Sequence, residues 1–407
     1  MKNSVSNAML FRTRGHADSG KVSFIELFFD LIFVFAVTQL SHSFLEHFTL
    51  EGALRLVLLT MAVWWVWIFT AWVINWLNPE TMPVRLLLIG LMLLGLVMST
   101  SIPEAFETTG LYFALSYTLF QIGRSAFTVW MLRNGSQQLR INFIRILSWL
   151  TLSGIFWIAG GLAHDEWRLG LWAVALAIEY AAPSLGFWTP KLGKTPTAVW
   201  DVEGSHMAER CGLFIIIALG ESVLVTGATF SKLDWSPVTL AAFAIAFIGT
   251  VAMWWIYFDT TAKTGHHFIA HSADPGRVAR SAYTYTHLLL VAGIIISAVA
   301  DELMLAHPTG HLELRTAAVV VGGPWLFLLG NLLFMRIVVG TMPLPYLAGL
   351  VALALLFPLA SVLNAIMLAL LSVIVLIAVS AWGHAYSERL CRAQPGKAAG
   401  HSNSTAG

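Results

Sequence analysis

Two carboxylates four residues apart open the first apolar stretch, Glu26 and Asp30 in SFIELFFDLIFVFAVTQLSHSF (23–44). At that spacing they share a helix face with Phe33, Val37 and Ser41. Two anions this close in hydrocarbon must share a proton, hold a cation or meet a guanidinium. Another acid, Glu221, lies in SHMAERCGLFIIIALGESVLVTG (205–227), about 18 Å along a helix beyond Glu209. That places it near a bilayer midplane, where transporters built from repeats hold substrate, and makes it the leading candidate. Arg124 cannot shed its charge and needs a partner, with Glu26, Asp30 and Glu221 available. Glu179, four residues before Pro183, is also deep. These residues suit a cation or proton site in which Glu221 and Asp30 carry the charge and Arg124 is the counter-ion. The competing reading is structural: Glu26 and Asp30 locked to Arg124 or Arg210.

Secondary candidates are Glu209 and Arg210 at a segment edge, His206 beside them, His42 on another face of the first segment, Asp259 closing WWIYFD (254–259), and His287. His267 and His271 stand four apart without a third ligand and read as solvated histidines rather than a metal pair. No metal or cofactor is expected, and no nucleotide-binding motif or Ser/His/Asp arrangement is present. Gly220 and Gly227 predict close helix contact or local unwinding. The clusters around Trp64, Trp65, Trp67, Trp72, Trp76, Trp254 and Trp255 predict interfacial anchors and packing.

The elements that position these groups are long apolar windows. Segments near 23–45, 53–77, 84–102, 109–132, 141–163, 168–188, 208–230, 237–259, 282–300, 315–337, 345–360 and 363–386 each have membrane-spanning length. The last two form one run divided by a turn at Pro358, Ser361 and Asn364. The composition agrees: the 407 residues are 57% hydrophobic and 11% charged, and mean hydropathy is +0.75. The fold class predicted is an all-α polytopic transmembrane bundle of about 12 spans. Nucleic acid is excluded as a partner, because no basic patch interleaved with aromatics exists. The partners expected are membrane lipids, a small solute or ion, and, in a homo-oligomer, further copies of the chain.

Nearly all Lys and Arg residues fall on the N-terminal side of such a bundle. The exceptions are Arg55, Arg168, Lys232, Arg315 and the intramembrane Arg124. By the positive-inside rule both termini are cytoplasmic, in an inner membrane. The chain also repeats itself: DLIFVFAVTQ (30–39) aligns with GLFIIIALGE (212–221), and WWVWIFT (64–70) with WWIYFDT (254–260). LLLIG (86–90) aligns with LLLVA (288–292), and IGRSAF (122–127) with LGNLLF (329–334). Each match links a span to the sixth after it, so two six-span pseudo-repeats share one orientation. The domains predicted are a cytoplasmic segment (1–22), a first repeat (23–188), a linker (189–207), a second repeat (208–386) and a disordered tail (387–407).

ELFFDLIFVFAVTQLSH and HMAERCGLFIIIALGESVL, with WWVWIFTAWVIN (64–75) and YTHLLLVAGI (285–294), resemble the bacterial low temperature requirement protein A family. The resemblance runs from about Ser23 to Trp382 and implies a multi-pass membrane protein associated by name with growth in the cold. Its polar pattern falls here on Glu26, Asp30, His42, Arg124, His206, Glu209, Arg210, Glu221 and His287; no catalytic residues come with it. Cys211 departs from the family pattern. FFDLIFVFAVT also resembles the F-S-D motif of a six-span-repeat potassium channel family, although Gly212 replaces Asp30 in the second half. The function expected is a transporter or channel-like permease, cation- or proton-coupled, with its site between spans 1, 4 and 7, and not an enzyme. The alternatives are a membrane scaffold or cold-adaptation factor without transport, and an intramembrane enzyme acting on a lipid or quinone.

Overall fold

The computed structural model describes residues 11–12, 21–195, 203–265, 278 and 280–393. Among them are twelve long helices and no β-strand: α1 (Phe24–Glu46), α2 (Leu50–Trp76), α3 (Met82–Thr100), α4 (Gly110–Met131), α5 (Gln137–Leu162), α6 (Asp165–Ser184), α7 (Gly204–Phe230), α8 (Pro237–Trp255), α9 (His287–Ala306), α10 (Leu314–Val339), α11 (Leu344–Leu356) and α12 (Ala365–Ala393). A π-helical stretch, Ile256–Ala262, extends α8, and another, Arg280–Thr286, leads into α9. With such extensions, ten helices are long and apolar enough to cross a membrane. The other two, α4 and α6, have comparable lengths of 22 and 20 residues but are more polar. The helices begin where the chain offers caps: Thr49 accepts the Gly52 amide at 3.1 Å, and Asn364 accepts that of Met367 at 3.0 Å. Gly340, at φ +84°, closes α10 in the left-handed conformation that glycine adopts without strain. The turn anticipated at Pro358 is a 3-10 segment, Phe357–Ser361. α12 runs to Ala393, past the boundary expected at 386, and the histidines at 267 and 271 lie outside the described residues.

Packing explains which helix is central. α2 contacts α1, α4, α6, α7 and α9, and an apolar helix packed on every side is a core helix. Trp64, Trp65 and Trp67 are each 2% exposed or less, so of the anchoring and packing expected of these clusters, these three serve packing in the core. Trp254 and Trp255, half exposed on α8, fit the anchoring role better. Some of the contacts between helices have counterparts in the two parts of the chain. In the first, the neighbouring pairs are α1–α2, α1–α3, α2–α4, α2–α6, α3–α4, α4–α5 and α5–α6. In the second, they are α7–α8, α7–α9, α8–α12, α9–α10, α10–α11 and α11–α12, with the π extension of α8 against α10, and in addition α8–α9, α9–α12 and α10–α12, which have no counterpart in the first. α1 and α7 also pack directly on each other.

Candidate functional site

Among the described residues the densest charge cluster lies where α1 meets α7. Glu26 and Asp30 project from the first two turns of α1, and His206 and Arg210 from the first two turns of α7, all four at 1% exposure or less. Arg210 Nη2 donates to Asp30 Oδ1 at 2.7 Å, and its Nη1 stands 3.4 Å from Glu26 Oε1. Trp67 Nε1 on α2 donates to the same Asp30 oxygen at 2.8 Å. The Arg210 guanidinium also lies against the Trp67 and Phe29 rings, 5.6 and 5.9 Å from their centroids.

Glu26 works at two scales. Its Oε2 accepts the backbone N–H and the hydroxyl of Ser23, each at 2.8 Å, and so caps α1. The same oxygen accepts Arg12 Nη2 at 2.7 Å, while Oε1 accepts His206 Nε2 at 2.8 Å. Arg12 is itself seated by its backbone N–H on the Trp76 carbonyl and by its Nε on that of Ile74, both at 3.0 Å. Asn75 sets the tautomer of His206. Its amide is oriented by donating to the Glu203 carbonyl and accepting the Glu203 N–H, both at 2.9 Å. The amide's second N–H therefore faces His206 Nδ1 at 3.2 Å, which makes Nδ1 the acceptor and Nε2–H the donor to Glu26. A neutral His206 leaves two guanidiniums against two carboxylates. Two buried atoms of this cluster have no partner among the described residues, Asp30 Oδ2 and Arg210 Nε.

Arg124 belongs to a different cluster. From α4 its Nη1 donates to Thr70 Oγ1 at 2.9 Å and to the Val66 carbonyl at 3.1 Å, both on α2, and its Nη2 donates to Gln121 Oε1. Gln121 Nε2 then donates to Glu179 Oε2 at 3.2 Å. Glu179 on α6 also accepts Tyr117 Oη at 2.6 Å, Ser153 Oγ at 2.7 Å and Trp157 Nε1 at 2.9 Å. The counter-ion of Asp30 is thus Arg210, and Arg124 turns toward Glu179 through an amide.

Glu221 is brought to neither cluster. It is 5% exposed and has no hydrogen bond or ion pair among the described residues. Eleven residues separate it from Arg210, about 16 Å along α7. The grouping of spans 1, 4 and 7 about one site is therefore replaced by an α1–α2–α7 cluster and an α2–α4–α5–α6 cluster. Glu209 and His42 are exposed. Asp259, partly buried, accepts from His384 Nδ1 on α12. His287 is fully buried, with Nδ1 at 3.2 Å from the Ala282 carbonyl and Nε2 at 2.8 Å from Tyr257 Oη. Among the described residues no group of His, Cys, Asp and Glu could hold a metal ion.

Sequence reasoning missed Arg12, Trp67 and Asn75 in the first cluster, and Tyr117, Gln121, Ser153 and Trp157 in the second. Arg12 registered only as a topology charge and Trp67 only as bulk. The usable signal was Asn75, an amide near the end of an otherwise apolar helix, where an unpaired polar group is costly.

No solved structure matches the chain. An uncharacterized protein of Rhizobium meliloti (strain 1021) is 40% identical over 378 residues, covering 93% of this chain and 92% of that protein. The model of the bacterial low temperature requirement A proteins matches residues 21–381. With its membrane-length helices and the α1 and α7 motifs gathered into one buried cluster, the chain belongs to the bacterial low temperature requirement A family.

Proposed function

We propose that this membrane protein is a permease for a small solute or ion, built from two six-helix repeats of one orientation that meet at α1 and α7, with the Glu26–Asp30–His206–Arg210 cluster as its coupling element. One observation carries the reading: Asp30 Oδ2 and Arg210 Nε are buried and have no hydrogen-bond partner among the described residues. Leaving such a group unpaired costs about 1–3 kcal/mol, more for charged groups, and a purely structural ion pair would be expected to satisfy it. An ion pair that keeps one carboxylate oxygen and one guanidinium N–H unbonded suits a coupling element that exchanges a proton or cargo between the two halves. The recurring helix neighbours support the repeat, and the Lys and Arg distribution supports twelve spans with both termini cytoplasmic in an inner membrane. The family name suggests a requirement at low temperature.

The test is flux. Purified protein in liposomes holding a pH-sensitive dye, given a proton, sodium or potassium gradient, should dissipate at least one gradient faster than protein-free vesicles. Asp30→Asn should abolish the excess. Flux equal to that of empty vesicles, or undiminished in Asp30→Asn, overturns the reading.

A second reading has its own support: Arg210 touches both acids of α1, as a lock between helices would. A lock predicts that exchanging the charges of Asp30 and Arg210 restores stability and growth together. A coupling element predicts recovered stability without recovered flux.

A further inference from the structure

A second acid sits in the other part of the bundle, away from both clusters. Asp301 falls just past the apolar window at 282–300, but α9 continues to Ala306 and places it about 7.5 Å inside the helix end. There, partly buried, it borders a small cavity of about 30 Å³, room for a single ion or water, between α8, α9, α10 and α12. Among the described residues its carboxylate has neither a hydrogen bond nor an ion pair.

The rest of the polar lining consists of oxygens. Ser297, one turn before Asp301 and 5% exposed, has a buried hydroxyl without a partner. Thr250 turns its hydroxyl hydrogen to the Ala246 carbonyl at 3.2 Å, with Ser222 Oγ 3.4 Å away, and Ser372 turns its own to the Leu368 carbonyl at 3.0 Å. Both hydroxyls keep lone pairs free. Pro324 lies inside α10 and has no N–H, so the Val320 carbonyl one turn back lacks its intrahelical donor, and both residues line the void.

We propose that this void is a binding site for a monovalent alkali cation, with Asp301 supplying the charge and Ser297, Thr250, Ser372 and the Val320 carbonyl the neutral oxygens. Hard oxygen donors suit alkali and alkaline-earth ions rather than soft metals. One carboxylate neutralises one positive charge, whereas a divalent ion would leave an uncompensated charge in a low-dielectric interior. An anion would find no cationic partner there.

The experiment is equilibrium binding to the full-length protein in detergent, without any gradient, so it stands whether or not transport occurs. Thermal unfolding is followed in sodium, potassium or N-methylglucamine chloride at equal ionic strength, with radioactive sodium or rubidium binding as the direct readout. Wild type should show saturable stabilisation by one alkali ion over N-methylglucamine. Asp301→Asn should weaken binding by at least roughly tenfold, about 1.4 kcal/mol, because the charged ligand of a partly buried site is removed. Pro324→Ala keeps the charge but returns an N–H to the Val320 carbonyl, and should weaken binding several-fold. Should Asp301→Asn fail to fold, Pro324→Ala and Ser297→Ala decide the matter. Identical behaviour of wild type in all three salts, or an alkali-ion effect unchanged in the variants that fold, overturns the site.

Discussion

Arg210 on α7 closes on Asp30 on α1 through a single 2.7 Å Nη2–Oδ1 bond, with both side chains at 1% exposure or less. The bond ties together the two helices that begin the proposed repeats, and Trp67 braces it from α2. Removing the guanidinium alone leaves two buried carboxylates facing each other. Arg210→Ala should therefore destabilise the protein by about 3–5 kcal/mol. Arg210→Gln combined with Asp30→Asn should recover much of that loss, since the pair becomes neutral and can still hydrogen bond. Unfolding of the purified variants in detergent checks both. Equal losses in the single and double variants would mean that the pair does not carry the α1–α7 contact.

Asn75 makes a narrower prediction. Its amide satisfies both backbone groups of Glu203 and holds His206 as the Nε2–H tautomer. Asn75→Leu strands those groups and should cost about 1–3 kcal/mol. Asn75→Asp keeps the shape but offers Nδ1 an acceptor in place of a donor, which favours a doubly protonated His206. Histidine ring nitrogen shifts in selectively labelled protein distinguish the two states, and an unchanged tautomer in Asn75→Asp would contradict this account.

How far the sequence could be read divides along a physical line. Apolar length locates helices without knowledge of their neighbours, so all twelve windows overlap the helices found, and Pro358 and Asn364 mark a real turn. Partner choice depends on how helices rotate and pack, which one sequence does not encode locally. Arg124 and Arg210 were both available to Asp30, and only the approach of α7 to α1 selects Arg210. Glu221 had the better depth argument, yet depth along a helix does not determine which neighbours its face meets. Arg12 lay beyond the reach of pattern reading, because its role depends on a backbone bond to Trp76 at the far end of α2.

The second cluster predicts that guanidinium geometry, not charge alone, holds α4 to α2. Arg124 shares its two terminal nitrogens among Thr70, the Val66 carbonyl and Gln121. Lysine keeps the charge but cannot span three acceptors from a fixed plane. Arg124→Lys should therefore lose about 1–3 kcal/mol. Glu179→Leu, which strands Tyr117, Ser153 and Trp157 donors together, should lose at least as much as the upper end of that range. A thermal shift for Arg124→Lys within error of wild type would show that a point charge suffices.

Glycine substitutions separate close packing from open surface. Gly220 and Gly227 invited the expectation of close helix contact, but a Cβ at either would meet nothing within 4 Å. A tight approach of backbone on backbone is found between α9 and α10 instead. A Cβ on Gly293 would sit 2.6 Å from the Phe327 nitrogen and 2.9 Å from the Gly323 carbonyl oxygen, and one on Gly323 would sit 2.7 Å from the Ser297 nitrogen. Backbone cannot step aside as a flexible side chain can, so Gly293→Ala and Gly323→Ala must push the helices apart, at about 1–3 kcal/mol each. Gly220→Ala should instead be neutral or stabilising by about 0.5–1 kcal/mol, through lost backbone freedom in the unfolded chain. Because Ser297 also lines the Asp301 void, Gly323→Ala should additionally weaken alkali-ion binding there, whereas Gly220→Ala should leave it unchanged. Comparing the two variants for unfolding midpoint and radioactive sodium or rubidium binding tests the packing and the site in one experiment; equal behaviour would show that α9 and α10 have slack to move.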